Sequence, residues 1–97
     1  MYEIEFFKNN NKQNIDQKKI DFIAREIKIK IDNNDYLITL DFLKKTCELF
    51  LKLENRYLNI NVENMKYSIE KELWILEYTL ETENSVLNII KIKKTNA

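Results

Sequence analysis

With no histidine in 97 residues, any chemistry in this chain would fall to carboxylates, one thiol, tyrosines and lysines. Histidine is the commonest general base, metal ligand and triad member, so its absence removes most nucleophilic and hydrolytic mechanisms. Cys47 is the single cysteine. A thiol acts as a nucleophile or ligand only when it is deprotonated, and no imidazole is present to take its proton. Its apolar neighbours make it an inert core thiol. One Cys without His also weighs against zinc. Paired carboxylates, as a glycosidase-type mechanism needs, occur at Glu77 with Glu81 and at Glu3 with Glu5. Each pair shares one face of a strand-like segment, where the solvated face of an antiparallel sheet is the better explanation. Asp32-Asn33-Asn34-Asp35 collects oxygen ligands of the Ca²⁺ or Mg²⁺ type, yet it is too short for an EF-hand loop and lacks its glycine. Gly-rich phosphate loops are excluded, because the chain has no glycine. The expectation is no catalytic residue, no metal-ligand set and no cofactor.

The charges offer recognition instead. Lys plus Arg equals Asp plus Glu at 16 each, which argues against a nucleic-acid binder and against a polybasic membrane anchor. The charges are nevertheless segregated. Glu63, Glu70, Glu72, Glu77, Glu81 and Glu83 fall in one stretch against only Lys66 and Lys71, and the flanking segments are basic. An acidic strand pair would steer toward a basic partner, so Glu70, Glu72, Glu77 and Glu81 are the expected partner-binding residues. The longest apolar run, Leu73 to Leu76, is too short to cross a membrane as a helix. The N-terminus has neither the basic nor the apolar part of a secretory signal. A single cysteine fits a reducing compartment, so the expected location is the cytoplasm.

The opening MYEIEFF resembles the first strand of small RelE-like ribosome-dependent RNase toxins over those seven residues. The resemblance implies an RNA-facing surface of Arg, Lys, Tyr or His. Here the arginines are Arg25 and Arg56, and no active-site residue carries over.

The elements that would position these groups follow from periodicity. In Asp41 to Tyr57, DFLKKTCELFLKLENRY, a helical wheel at about 100° per residue collects Phe42, Leu43, Cys47, Leu49, Phe50, Leu51, Leu53 and Tyr57 on an arc of roughly 200°. The segment is read as the one main helix, about 41–57, with Asp41 as N-cap and Lys44, Lys45, Lys52 and Arg56 on the other side. The arc is wider than docking on one surface requires. Its edge, Leu43, Cys47 and Leu51, is therefore a candidate homodimer contact.

Most of the remainder alternates like strand. Tyr2 to Phe7 turns Tyr2, Ile4 and Phe6 inward, and Lys8 to Lys19 reads as a connection. Lys19 to Asp32 is open between helix (Ile20, Ile23, Ile27, Ile31) and strand; β-branched alternation at Ile27, Ile29 and Ile31 favours strand, with a bulge near Ala24. Asn33-Asn34-Asp35 makes a hairpin turn into Tyr36 to Leu40. Leu58 to Val62, Met65 to Ile69, Leu73 to Thr82 and Val86 to Lys93 follow, with Trp74, Leu76, Tyr78 and Leu80 directed to the core. The expected fold is α+β, a single domain over 1–97. An antiparallel sheet of about five to seven short strands packs on one helix, in the order β-β-β-α-β-β-β-β. The apolar fraction of 44% supports a folded chain. The function that fits is a small protein-binding module, an immunity-type or phage-type inhibitor of a partner enzyme such as a basic nuclease. The alternatives are a RelE-like ribonuclease toxin and a structural homo-oligomer.

Overall fold

The computed structural model describes residues 2–14, 20–23, 28–32 and 34–94. Every regular element among them is a β-strand: β1 Tyr2–Lys8, β2 Asn11–Gln13, β3 Ile20–Ile23, β4 Lys28–Asp32, β5 Tyr36–Asp41, β6 Thr46–Leu53, β7 Arg56–Ile60, β8 Val62–Ile69, β9 Leu73–Leu80 and β10 Glu83–Lys94. They form two antiparallel sheets, in the orders β2-β1-β10-β9-β8 and β3-β4-β5-β6-β7. No helix among the described residues is long and apolar enough to cross a membrane.

The α+β expectation is thus overturned, and the reason lies in Asp41 to Tyr57. Asp41 does cap a turn: its Oδ1 accepts the backbone N–H groups of Leu43 and Lys44, each at 3.0 Å. That turn does not propagate. Lys45 takes a left-handed backbone, φ 56°, and the chain reverses into β6, with Asp41 opposite Thr46 and Leu40 opposite Cys47. From Thr46 onward the controlling period is two. Cys47 and Leu49 are buried, while Thr46 and Glu48, which alternate with them, are exposed. A period-two pattern drawn on a helical wheel scatters widely, and the broad arc was that scatter.

The strand readings elsewhere hold, with shifted ends. Ile4 and Phe6 of β1, Ile29 and Ile31 of β4, and Leu76, Tyr78 and Leu80 of β9 are buried, and Tyr2 and Trp74 pack against the same cluster. Lys19 to Asp32, expected as one strand with a bulge near Ala24, is extended at residues 20–23 and 28–32 but forms two strands, β3 and β4, that pair antiparallel with Ile20 opposite Ile31 and Ile23 opposite Lys28; Ala24 and Ile27 lie outside the described residues. So does Asn33, although β4 and β5 do form the expected antiparallel pair, Asp32 opposite Leu37. The connection expected after Phe7 contains β2, entered through Asn9 and Asn10 at φ 47° and 69°. Two successive positive φ values between paired Lys8 and Asn11 make a type I′ turn, which matches the strand twist. Without glycine, asparagine carries these positions at least cost. Asn64 does the same, φ 53°, where the β8–β9 register shifts between Glu63 and Lys66.

The sheets face each other across one core, drawn from β1, β4, β5, β6, β7, β9 and β10 and from the β5–β6 turn. The link at Asn61 is a single residue. Ile60 still pairs with Leu49 in one sheet, and Val62 already pairs with Leu80 in the other. Strands that change sheets by such a bend close the corners of sandwiches. Two contacts clasp this corner: Glu81 N donates to Asn61 O at 3.0 Å, and Asn61 Nδ2 donates to Glu81 Oε2 at 2.7 Å. Further along, the Tyr67 hydroxyl on β8 donates to Thr46 O on β6 at 2.5 Å, tying the sheets a second time. One end of the core is closed by aromatic rings. Phe42 lies edge-on to Tyr67 at 5.3 Å and tilted to Trp74 at 5.4 Å, and Trp74 stacks on Tyr2 at 6.2 Å.

The architecture makes a contrast that a helix over 41–57 would not. Leu40→Ala empties a fully buried site and should cost about 2–5 kcal/mol in urea unfolding. Leu43→Ala, at a residue 71% exposed in the turn, should stay within about 0.5 kcal/mol. A large loss at Leu43 would contradict the turn.

Candidate interaction site

β6 and β7 pair from Leu49↔Ile60 out to Leu53↔Arg56, closed by the two-residue turn Glu54-Asn55. The opposing sheet begins its own pairing of β8 with β9 at Val62↔Leu80. The distal half of the β6–β7 hairpin therefore extends past the corner. Its inward face carries Leu51, Leu53 and Leu58, which alternate in phase with buried Leu49 and Ile60 and yet stand 36%, 42% and 43% exposed. The core pattern continues along the strand after the second layer has ended. Arg56, opposite Leu53, shares this face, whereas Tyr57, opposite Lys52, is 61% exposed on the other face of the hairpin; β7 is the terminal strand of its sheet. The hairpin is tied to the β4–β5 end of its own sheet close to its tip, where Lys52 N donates to Asp35 O at 2.9 Å and the Lys52 ammonium pairs with Asp32. Its tip is a solvent-exposed turn.

The acidic residues expected to bind a partner do not come together. Glu70 and Glu72 lie in the β8–β9 turn, whose backbone is held by Glu70 N→Leu73 O and Lys94 N→Glu72 O, both 2.9 Å. Glu77 is in mid-β9, in register with Lys66 across the ladder. Glu81 sits at the opposite end of β9 and is engaged in the Asn61 clasp. At about 3.3 Å per residue, Glu72 and Glu81 are about 30 Å apart. The outer face of this sheet mixes its charges. Glu5 is held between Lys93 at 2.6 Å and Lys12 at 3.3 Å, and the Lys91 ammonium lies 5.1 Å from the Phe7 ring centre.

The proposed homodimer edge is also dispersed. Leu43 is in the β5–β6 turn, Cys47 is in the core, and Leu51 is on the projecting hairpin at the other end of β6. The basic face divides likewise: Lys44 and Lys45 lie in the turn, Lys52 pairs with Asp32, and Arg56 is exposed on β7. Arg25 lies outside the described residues. Tyr2 to Phe7 of the RelE-like opening are strand, but that strand lies between β10 and β2 in an all-β arrangement.

Burial settles the character of the core groups. It pushes the Cys47 thiol up to about 12, with the nearby Glu48 carboxylate adding to the shift. The thiol therefore stays protonated and unreactive at neutral pH. Burial also raises Tyr67 and Tyr78, which keeps both phenols neutral. No group of three His, Cys, Asp or Glu side chains among the described residues could hold a metal ion.

No family model, curated protein or solved structure matches the chain.

The projecting hairpin was missed because its signal lay inside the segment read as helix. Period-two reading of Cys47, Leu49, Leu51 and Leu53 would have found the strand. The uncovered state of its second half depends on where the other sheet ends, which no local pattern carries.

The Glu5 arrangement has a pH signature. The hydrogen bond from Lys93 holds the Glu5 carboxyl below its ordinary value, burial opposes this, and Lys12 adds to the lowering. A folded-state value below the unfolded one contributes stability above the ordinary carboxylate range of about 4.3, and the contribution disappears as pH falls through the folded value. Glu5→Gln should therefore lower stability at pH 7 by no more than about 1 kcal/mol. The gap to wild type should close below pH 4 in thermal melts. A gap that widens toward low pH would contradict the pairing.

Proposed function

We propose that this protein is a non-catalytic binding module whose projecting β6–β7 hairpin engages another protein. The finer reading is an immunity-type or phage-type inhibitor that occludes a partner enzyme one to one. The observation that carries it is the uncovered inner face of the hairpin, Leu51, Leu53 and Leu58, with Arg56 on the same face and Tyr57 exposed on the other face of the same terminal strand. Apolar surface in phase with the core but lacking a second layer gains free energy when a partner covers it. Tyr and Arg are the residue types most enriched at binding hot spots. The outer edge of β7 adds backbone donors and acceptors that an extended segment of a partner can pair with.

The charges around the hairpin are of both signs, since Arg56 and Lys52 lie on it. Glu54 at the hairpin tip, Glu81 at the corner and Glu83 at the start of β10 share this end of the molecule. Glu70 and Glu72 lie at the other end of β9 and stand outside a hairpin-centred contact.

The test uses the immobilised full chain in host lysate at low and high salt, beside the Leu53→Asp/Tyr57→Ala double variant. The expected result is one stoichiometric enzyme whose activity falls on binding. The variant should bind it at least tenfold more weakly and keep its melting temperature within a few degrees. Equal retention by the variant would overturn the hairpin as the contact. Recovery of the chain's own oligomer alone would overturn the binder reading, and recovery of ribosomes or RNA would point to nucleic-acid chemistry.

A further inference from the structure

A sheet can be extended by another chain only at its edges, and the edges of these two sheets are β2, β8, β3 and β7. Three of them carry features that discourage such pairing. β2 and β3 are three and four residues long, and β2 contains Lys12. β8 is interrupted by the register shift between Glu63 and Lys66, where Asn64 takes φ 53°. β7 has neither device. It pairs with β6 in continuous register from Arg56 to Ile60, holds no lysine, and is exposed from Arg56 to Asn59. A cavity of about 80 Å³ also lies between the sheets at this end, with Ile38, Leu49, Leu51 and Leu80 in its walls. Those apolar walls select no occupant, whereas a strand edge specifies its own.

The phase of the free backbone groups follows from the turn. Glu54-Asn55 is a two-residue loop, so the closing pair Leu53↔Arg56 exchanges both hydrogen bonds. Antiparallel bonding then alternates. Leu58 and Ile60 bond to β6 like Arg56, while Tyr57 and Asn59 turn their N–H and C=O groups away from it. Lys52 N obeys the same phase, since it donates away from β7, to Asp35 O at 2.9 Å. Among the described residues nothing bonds to the outward backbone groups of Tyr57 and Asn59. The free edge stops at Asn61, whose O already accepts from Glu81 N.

We propose that the partner adds an extended segment antiparallel to β7, with an apolar side chain opposite Leu58 and an Asp or Glu opposite Arg56. This rests on the hairpin being the contact surface. Antiparallel pairing lets one guest residue exchange both bonds with Tyr57 and another do so with Asn59. The guest residue between them faces Leu58 at a non-hydrogen-bonded position, where strands approach closest, about 4.5 Å between Cα atoms. It lies on the inner face and lengthens the row of Leu51 and Leu58. Arg56 shares that face, so a carboxylate opposite it makes a matched cross-strand pair. Residues opposite Tyr57 and Asn59 fall on the outer face and are free to vary.

The probe is the capped peptide Ac-Lys-Thr-Leu-Thr-Glu-Lys-NH2, which sets Leu opposite Leu58 and Glu opposite Arg56, titrated into the isotope-labelled full chain by NMR. It should give saturable shifts at the Tyr57 and Asn59 amides and none at β2 or β8. N-methylation of both threonines removes the bonding donors and should weaken binding at least tenfold. Exchanging Leu with the second Thr puts the apolar group on the wrong face and should weaken it at least threefold. Asn59→Pro removes an outward N–H without touching the β6 ladder, and should weaken binding at least fivefold with the melting temperature kept. If that variant does not fold, the N-methylated peptide decides. Equal binding of the N-methylated peptide, or no saturable shift with the parent peptide, would overturn strand addition. Shifts at Tyr57 and Asn59 that grow with protein concentration alone would give the edge to a second copy and overturn it too. The hairpin reading fails separately, when the Leu53→Asp/Tyr57→Ala variant keeps its partner in lysate.

Discussion

The pairing of the first strand with the last is the constraint on which the rest of the molecule depends. β1 and β10 run in unbroken register from Tyr2↔Lys94 to Lys8↔Asn88. This places the N-terminal strand inside a sheet whose other members, β8 to β10, come from the far end of the sequence. Without it, β1 and β2 would be a lone hairpin, which is marginal in water, and the inward side chains Ile4 and Phe6 would leave the core. The opposing sheet would then lose part of its cover. Each remaining neighbour pair in the two sheets is consecutive in sequence. The ladder between the chain ends is the step with the largest loop-closure cost, and it should come late in folding.

The two ends of the sandwich differ because the sheets do not match in length. At one end, Phe42 from the β5–β6 turn fills the gap with Tyr67, Trp74 and Tyr2. At the other, the chain changes sheets at Asn61, and the β6–β7 hairpin continues beyond the layer that would cover it. The inter-sheet cavity and the exposed leucines arise from this same mismatch. Glu81 is used there to hold the corner, which explains why an acid that looks free in the sequence has a structural partner. Lys52 and Asp32 tie the distal part of the hairpin to the end of β4 in the same way.

Much of the sheet was legible in the sequence. The alternation of Tyr2-Glu-Ile-Glu-Phe and of Trp74, Leu76, Tyr78 and Leu80 named the correct inward faces, because a strand facing one layer reads directly as period two. The absence of glycine pointed to asparagine turns, and Asn9, Asn10 and Asn64 take positive φ. Lys45, the other non-glycine residue with positive φ among the described residues, carries no such signal. That is why the turn after Asp41 was extended into a helix. The capping contact itself was correct, since an Asp that accepts first-turn N–H groups looks the same at a helix start and in a tight turn. The acidic grouping was misleading for a geometric reason. Residues close in sequence along a strand are spread out at about 3.3 Å each, so Glu70 and Glu81 mark opposite ends of one strand. Neither the hairpin overhang nor the cavity could be read locally, because both are set by where a distant layer stops.

The most direct test of this account is amide hydrogen exchange on the intact chain, comparing β1 with β9. The β1 amides that face β10 should be protected to the same level as the central amides of β9, because both open only with the whole sandwich. The β6–β7 hairpin tip should exchange far faster. Exchange of the β1 amides at near-unfolded rates while β9 stays protected would contradict the end-to-end ladder, and with it the two-sheet architecture from which the overhanging hairpin and the cavity follow.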